Sequence, residues 1–367
     1  MGNAPARGNV PNDRRRRAPL IIDARETGVP EAEDDMKAML SKQVGGPETL
    51  VLEDLPDPVP KPGEVLIAVK ACGVNYPDLL IIEDRYQFKP PRPFAPGGEV
   101  AGIVEAVGDG VKSIKPGDRV IGSVIAGGMA EKLTVEAERC IPMPDAMPFD
   151  EASALILTYA TSIHALKDRA KIRKGETLLV LGAAGGVGLS AVELGKAYGA
   201  RVIAAVSSED KLAFVRKHGA DDGVVYPTGP FDKAGAKALS DLFKQACGEK
   251  GADVIYDPVG GDYSEAALRS IAWEGRFLVV GFPAGIAKLP LNLTLLKSCD
   301  VVGVFWGAFA RRDPKANSAN IAELMQLYAK GAIKPLVSER YPLARAGEAI
   351  SRLASRKAMG KIVVTMD

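Results

Sequence analysis

The stretch Thr177-Leu178-Leu179-Val180-Leu181-Gly182-Ala183-Ala184-Gly185-Gly186-Val187-Gly188 runs from a short apolar segment through a glycine turn into a helix-like continuation ending near Tyr198. The chemistry this pattern suits is binding of a diphosphate. Glycines let the backbone approach phosphate oxygens, and the unpaired amides at a helix start, with the positive end of the macrodipole, meet their charge. The spacing sets Gly182, Ala184, Gly185, Gly186, Val187 and Gly188 around such an anion. A second apolar segment, Arg201 to Val206, leads into Ser207-Ser208-Glu209-Asp210-Lys211. An acidic residue about 20 positions past the glycines would hold the ribose 2′-hydroxyl of NAD. Here two hydroxyls and a lysine offer donors and positive charge to a 2′-phosphate. Glu209 and Asp210 suit the first turn of a following helix, where negative charge matches the dipole. Ser207, Ser208 and Lys211 therefore point to NADPH.

The elements that must position these residues follow from periodicity. From Thr177 onward strands and helices alternate: Arg201 to Val206 strand, Glu209 to His218 helix, Gly223 to Val225 strand, Asp253 to Tyr256 strand, Tyr263 to Trp273 helix, then strands Gly275 to Val280 and Val301 to Phe305. Alternation of this kind predicts an α/β unit, a doubly wound parallel sheet of the Rossmann type with helices on both faces. Upstream, Val65 to Val69 follows a Pro62-Gly63 turn, Val100 to Val107 precedes Gly108-Asp109-Gly110, and Arg119 to Val124 follows Lys115-Pro116-Gly117-Asp118. That half reads as β-rich and turn-rich. Helices over Ile321 to Lys330 and Ala346 to Ser355 and a strand over Lys361 to Thr365 close the chain.

Residues 1–35, with the Arg14 to Arg17 run and an acidic close at Glu31 to Asp35, cannot bury enough apolar surface to fold alone and read as a disordered extension. The 367 residues carry 47 Lys+Arg against 46 Asp+Glu, a net charge of +1 that argues against nucleic acid as the main partner. No apolar run approaches the roughly 18 residues of a membrane span. Cys72, Cys140, Cys247 and Cys299 are dispersed without a CxxC pair, which excludes a disulfide framework or zinc ribbon and suits a reducing cytoplasm. His164 and His218 lack companions at metal-ligand spacing, so no metal site is expected.

With these motifs in place the chain resembles the zinc-free quinone oxidoreductases, the zeta-crystallin-like group of the medium-chain dehydrogenase/reductase superfamily. The resemblance rests on Gly175-Glu176, Leu179, Ala183-Ala184-Gly185-Gly186, Gly188 and Lys196, with Glu193 where the family usually has glutamine. It extends through Pro62-Gly63-Glu64-Val65, Cys72-Gly73-Val74-Asn75, Pro96 to Gly102, Gly117 to Val120 and Gly360 to Val363. It implies a GroES-like catalytic domain (36–158 and 311–367) interrupted by a Rossmann NADPH-binding domain (159–310). Zinc-dependent relatives keep a cysteine and a histidine where this chain has Asn75 and Gly98, and no cysteine lies between Val107 and Ala130. An amide and a glycine cannot replace thiolate and imidazole.

The resemblance further implies Asn75 near the nicotinamide ribose or the substrate oxygen, and Tyr86 where enoyl-thioester reductases of the superfamily keep an acid. It implies Thr161 near the nicotinamide, Tyr226 at the adenosine phosphate, Gly281 and Phe282 facing the carboxamide, and Lys361 at the cofactor cleft. The expected activity is metal-independent hydride transfer from NADPH to a small-molecule acceptor, a quinone or related conjugated carbonyl. Reduction of an enoyl thioester is the alternative, and a nucleotide-binding regulator with little turnover is an alternative of another class. The apolar strand Val301 to Trp306 resembles the edge through which such enzymes form homodimers.

Overall fold

The computed structural model describes residues 35–366; the extension expected over residues 1–35 lies outside them apart from Asp35, which opens a strand. Strands β1 (Asp35–Leu40) and β2 (Val51–Pro56) form an antiparallel pair. β3 (Glu64–Gly73), β4 (Glu99–Val107), β5 (Arg119–Ser123), β6 (Lys132–Glu136) and β7 (Cys140–Pro142) follow, all paired antiparallel. Their alternate apolar residues, among them Val65, Ile67, Val69, Val100 and Val104, enclose one buried core.

The next six strands are β8 (Thr177–Leu181), β9 (Arg201–Val206), β10 (Asp222–Val225), β11 (Ala252–Asp257), β12 (Ile271–Val279) and β13 (Asp300–Gly303). They form one sheet in the order β10-β9-β8-β11-β12-β13, parallel throughout. In β8, Leu178 and Val180 enter one core with the helix Gly186–Ala197, while Leu179 and Leu181 enter another with the helix Lys233–Cys247. A strand covered on both faces has to be apolar at every position, which is why β8 reads as an unbroken run rather than an alternation. Burying each such side chain stabilises the fold by about 1.5–3 kcal/mol.

The chain then returns. β14 (Val337–Pro342) and β15 (Lys361–Thr365) pair with each other, and β15 joins β3, giving a seven-stranded sheet in the order β14-β15-β3-β4-β5-β7 with β6 also on β3. The C-terminal strand thus completes the N-terminal β-rich unit.

Three element boundaries differ from the periodicity reading. The helix expected over Tyr263 to Trp273 is Asp262–Leu268, and β12 already begins at Ile271. Ala267, Leu268 and Ile271 keep helical spacing and are all buried, but Ile271 is buried by pairing with Ala252, across a bulge that turns Trp273 outward. The strand expected to reach Phe305 stops at Gly303, where a helix Trp306–Arg312 begins three residues later. The helix expected from Ile321 starts at Pro314, capped by Asp313, whose carboxylate accepts from the Ala316 amide at 3.0 Å. It places Ile321 and Leu324 in the core of the parallel sheet.

Candidate active site

A cleft of about 1990 Å³ lies at the carboxyl ends of the parallel strands, where ligands of doubly wound sheets bind, and is closed on its other side by the β-rich unit. Its base is the glycine turn. Gly182 has φ +58°, a left-handed conformation that glycine adopts without strain. A Cβ at Gly188 would stand 2.3 Å from the Gly182 carbonyl oxygen, so only glycine lets the turn fold back onto the helix start. The helix Gly186–Ala197 has Gly185 at its N-cap and no side chain capping its first amides, which leaves them to meet an anion. Gly182, Gly185, Gly186, Val187 and Gly188 line the cleft. Ala184 does not: its side chain lies in the core, and its carbonyl accepts from the Gly360 amide at 2.8 Å, tying the turn to the start of β15.

At one end of the cleft sit Ser207, Ser208 and Lys211. Ser208 caps the helix Glu209–Lys217 by accepting from the Lys211 amide at 3.3 Å. The Lys211 ammonium donates to Ser207 Oγ at 3.1 Å and to the Arg356 carbonyl at 2.8 Å. Burial and the neighbouring Arg352 lower its pKa. Arg356, which sequence reasoning missed, lines the same end, held with φ +57° on the turn before β15. Nothing local to its sequence marks it; only the return of the chain brings it to Lys211. Glu209 and Asp210 occupy the first helical turn and are absent from the cleft wall. Tyr226 lines the cleft but is largely buried, packed against Tyr263 with ring centroids 5.1 Å apart.

Thr161 follows a π-helical turn, Ile156–Ala160, and donates its hydroxyl to the Leu157 carbonyl at 2.6 Å, so toward the cleft it acts as an acceptor. Gly281 and the half-exposed Phe282 lie just beyond β12. The Asp257 carboxylate shapes the facing turn by accepting from the Val259 and Gly260 amides at 2.8 and 2.9 Å.

The floor opposite the glycine turn is a buried polar network. Asn75 begins the helix Tyr76–Ile82 in a capping box: its amide donates to Asp78 Oδ2 at 2.7 Å. Asn75 Nδ2 donates to the Gly73 carbonyl at 3.0 Å and to Glu99 Oε2 at 3.2 Å, while its Oδ1 accepts from Lys361 Nζ at 2.6 Å. Lys361 also donates to the Val74 carbonyl at 3.1 Å and stands 3.7 Å from Glu99. Asp78, Glu99 and Lys361 are each at most 5% exposed. Burial pushes Asp78 up to about 6, raises Glu99 against the pull of Lys361, and lowers Lys361 against the pull of Glu99 and Asp78. The sequence singled out Asn75 and Lys361 but neither Glu99 nor Asp78. Only the pairing of β3, β4 and β15 reveals that the four form one unit.

The remaining wall is apolar and aromatic, with Tyr76, Tyr86, Phe88, Phe282 and Trp306 around it. Tyr86 is half-buried, which raises its pKa, and its ring lies 6.0 Å from that of Phe88. Among the described residues no group of three or more His, Cys, Asp and Glu could hold a metal ion. Asn75 and Gly98 supply neither thiolate nor imidazole, and the buried Cys72 has no second sulfur or imidazole beside it, so this floor does not suit zinc.

Two domain families match the chain. One described as zinc-binding dehydrogenase covers residues 186–329, and one described as alcohol dehydrogenase GroES-like domain covers residues 61–145. The chain is 36% identical over 318 residues to quinone oxidoreductase-like protein 2 of Rattus norvegicus, covering 86% of this chain and 88% of that protein. A mycobacterial protein solved in complex with NADPH superimposes with a TM-score of 0.83 at 32% identity, covering 90% of this chain and 99% of the other. The CurK enoyl reductase superimposes with a TM-score of 0.80 at 26% identity over 91% of this chain and all of that one, 100%.

Proposed function

The chain belongs to the quinone oxidoreductase family of the medium-chain dehydrogenases/reductases and is an oxidoreductase, and from that premise we propose that it passes a hydride from NADPH to a quinone or related conjugated carbonyl without a metal ion. The observation that carries this reading is the division of one cleft into two chemistries. The amide-lined glycine turn and the Lys211, Arg356 end suit a diphosphate and a 2′-phosphate, and the aromatic end suits a planar, weakly polar acceptor. Bound NADPH would supply the hydride. The chain's own residues hold the diphosphate at Gly182 to Gly188, present Thr161 and Gly281 to the nicotinamide end, and keep the acceptor dry between Tyr86, Phe282 and Trp306.

The enoyl-thioester reading is favoured by one observation, the Tyr86 hydroxyl in the cleft wall, where it could protonate the carbon α to a thioester carbonyl. Steady-state NADPH oxidation with a benzoquinone and with a 2-enoyl thioester separates the two. Tyr86→Phe should leave quinone turnover within about threefold while lowering enoyl reduction roughly 100-fold; equal losses on both substrates would reject a specific acid role.

β13 is the outer strand of its sheet; Val301 on it is 41% exposed, Phe305, two residues past its end, 48%, and Leu295 in the preceding helix Asn292–Lys297 79%. An apolar edge of this kind needs a cover, and the reading includes a homodimer formed by edge pairing. Val301→Lys should shift sedimentation from dimer to monomer; a wild-type chain that sediments as a monomer ends this part of the proposal. Four free and buried cysteines suit a reducing compartment such as the cytoplasm.

A further inference from the structure

Resting on that reading, we propose that Lys361, and not Asn75, is the residue that hydrogen-bonds the acceptor's oxygen as negative charge develops on it, with Asn75 and Glu99 as the positioning residues that aim the ammonium. The available donors distinguish the two residues. An asparagine amide has two N–H groups, and both of Asn75's are consumed, by the Gly73 carbonyl and Glu99 Oε2. Reversing the amide would put its NH2 against the Lys361 ammonium, two donors 2.6 Å apart, so the orientation is dictated by the lysine. Asn75 therefore has no hydrogen to give a substrate.

Lys361 has three hydrogens. Two go to the Val74 carbonyl and Asn75 Oδ1, and Glu99 at 3.7 Å is an ion-pair partner beyond hydrogen-bonding distance. The side chain lines the cleft, and its stem packs on the glycine turn: a Cβ at Gly186 would stand 2.8 Å from Lys361 Cδ. An ammonium fixed on two sides with one hydrogen left over is a preorganised donor, and in a site screened from water such a donor is worth about 10²–10³ in rate. In the reaction, the C–H bond of the reduced nicotinamide breaks and the acceptor gains a hydride with its two electrons. The acceptor's carbonyl oxygen then takes one proton, drawn from water, while Lys361 remains charged.

Charged and titratable groups facing Lys361 are Glu99 and Asp78, with the Cys72 thiol also close. Burial disfavours its charge, so the activity that depends on it should fall at a pH below the ordinary lysine range. The test measures single-turnover hydride transfer to a benzoquinone at saturating NADPH across pH, together with NADPH affinity by fluorescence titration, for wild type, Lys361→Met and Asn75→Ala. Lys361→Met should lose about 100-fold in transfer and its alkaline limb, with NADPH affinity within about threefold of wild type. Asn75→Ala should lose about tenfold or less and keep the limb. A readout independent of turnover is 4-nitrophenol bound beside NADP: its pKa should drop on wild type and not on Lys361→Met.

Two results would overturn the assignment. One is weakened NADPH binding with normal transfer at saturation, which makes Lys361 only a cofactor anchor. The other is an Asn75→Ala loss as large as that of Lys361→Met with the limb gone in both. If Lys361→Met does not fold, the wild-type profile and the nitrophenol shift decide: absence of either refutes the proposal. Wild type that binds no NADPH at all refutes instead the reading beneath it.

Discussion

The two walls of the cleft are built on different principles. The glycine turn is made by backbone over seven consecutive residues, Gly182 to Gly188, and its ligand groups are amides. The facing floor is made by side chains from two strands and a helix start, Glu99 on β4, Lys361 on β15 and Asn75 with Asp78 at the helix, and Asn75 and Lys361 are separated by 286 positions. A backbone site has a local signature because each residue's conformational freedom is the working part. A side-chain network has none, because its parts are ordinary residues until sheet pairing brings them together.

Gly188→Val breaks the backbone wall with the largest expected effect. Its Cβ would overlap the Gly182 carbonyl, 2.3 Å away, and the Ala183 Cα, 2.8 Å away, so the turn must open. NADPH affinity should fall at least about 100-fold, or roughly 2.7 kcal/mol, by fluorescence titration, while the far-ultraviolet circular dichroism stays that of wild type. Affinity within about threefold of wild type would show that the turn is not the diphosphate site.

This contrast also explains how much was legible in advance. The doubly wound sheet, the glycine turn and the Ser207 to Lys211 segment could be read because each is local. Val187 and the glycines lie where the strand-turn-helix pattern requires them, and all of these except Ala184 line the cleft. Ala184 stands apart because its side chain lies in the core and its carbonyl accepts from the Gly360 amide, a partner from the far end of the chain that no local pattern shows. Arg356, Asp78 and Glu99 were illegible as site residues because their partners come from other segments. The misplaced end of the helix near Trp273 has the same origin: Ile271 is buried by a neighbouring strand that no local period reveals.

Glu193 sharpens the comparison, since it stands on the helix that leaves the backbone wall yet functions through side chains. Its Oε2 accepts from the Tyr159 hydroxyl at 2.7 Å and the Lys334 amide at 3.0 Å, joining the helix to the π-turn segment and to the link before β14. Burial raises its pKa from 4.5 to about 7. Between those values the folded chain keeps a proton that the unfolded chain has lost, so stability falls as pH rises through that window and levels off above it. Glutamine at this position cannot titrate. Glu193→Gln should flatten the dependence and be about 1–3 kcal/mol more stable than wild type at pH 8, after allowance for the amide's unpaired NH2. Urea melts at pH 5 and pH 8 test this; a variant that keeps the wild-type slope removes Glu193 as its source.

The smallest effect is expected where backbone and side chain share the task. At the Lys211 end, Ser208 caps a helix and Ser207 and Arg356 hold the ammonium, so the lysine is one of several groups available to a 2′-phosphate. Lys211→Met keeps the stem and removes the charge. Arg356 stays, and exposed charges are screened by salt, so NADPH should bind about tenfold more weakly, roughly 1.4 kcal/mol, with NADH affinity unchanged. The ratio of the two affinities, measured at low and moderate ionic strength, isolates the phosphate from the rest of the nucleotide. Equal losses for both nucleotides would mean that Lys211 shapes the turn rather than reading the phosphate, and would move cofactor choice to Arg356 alone.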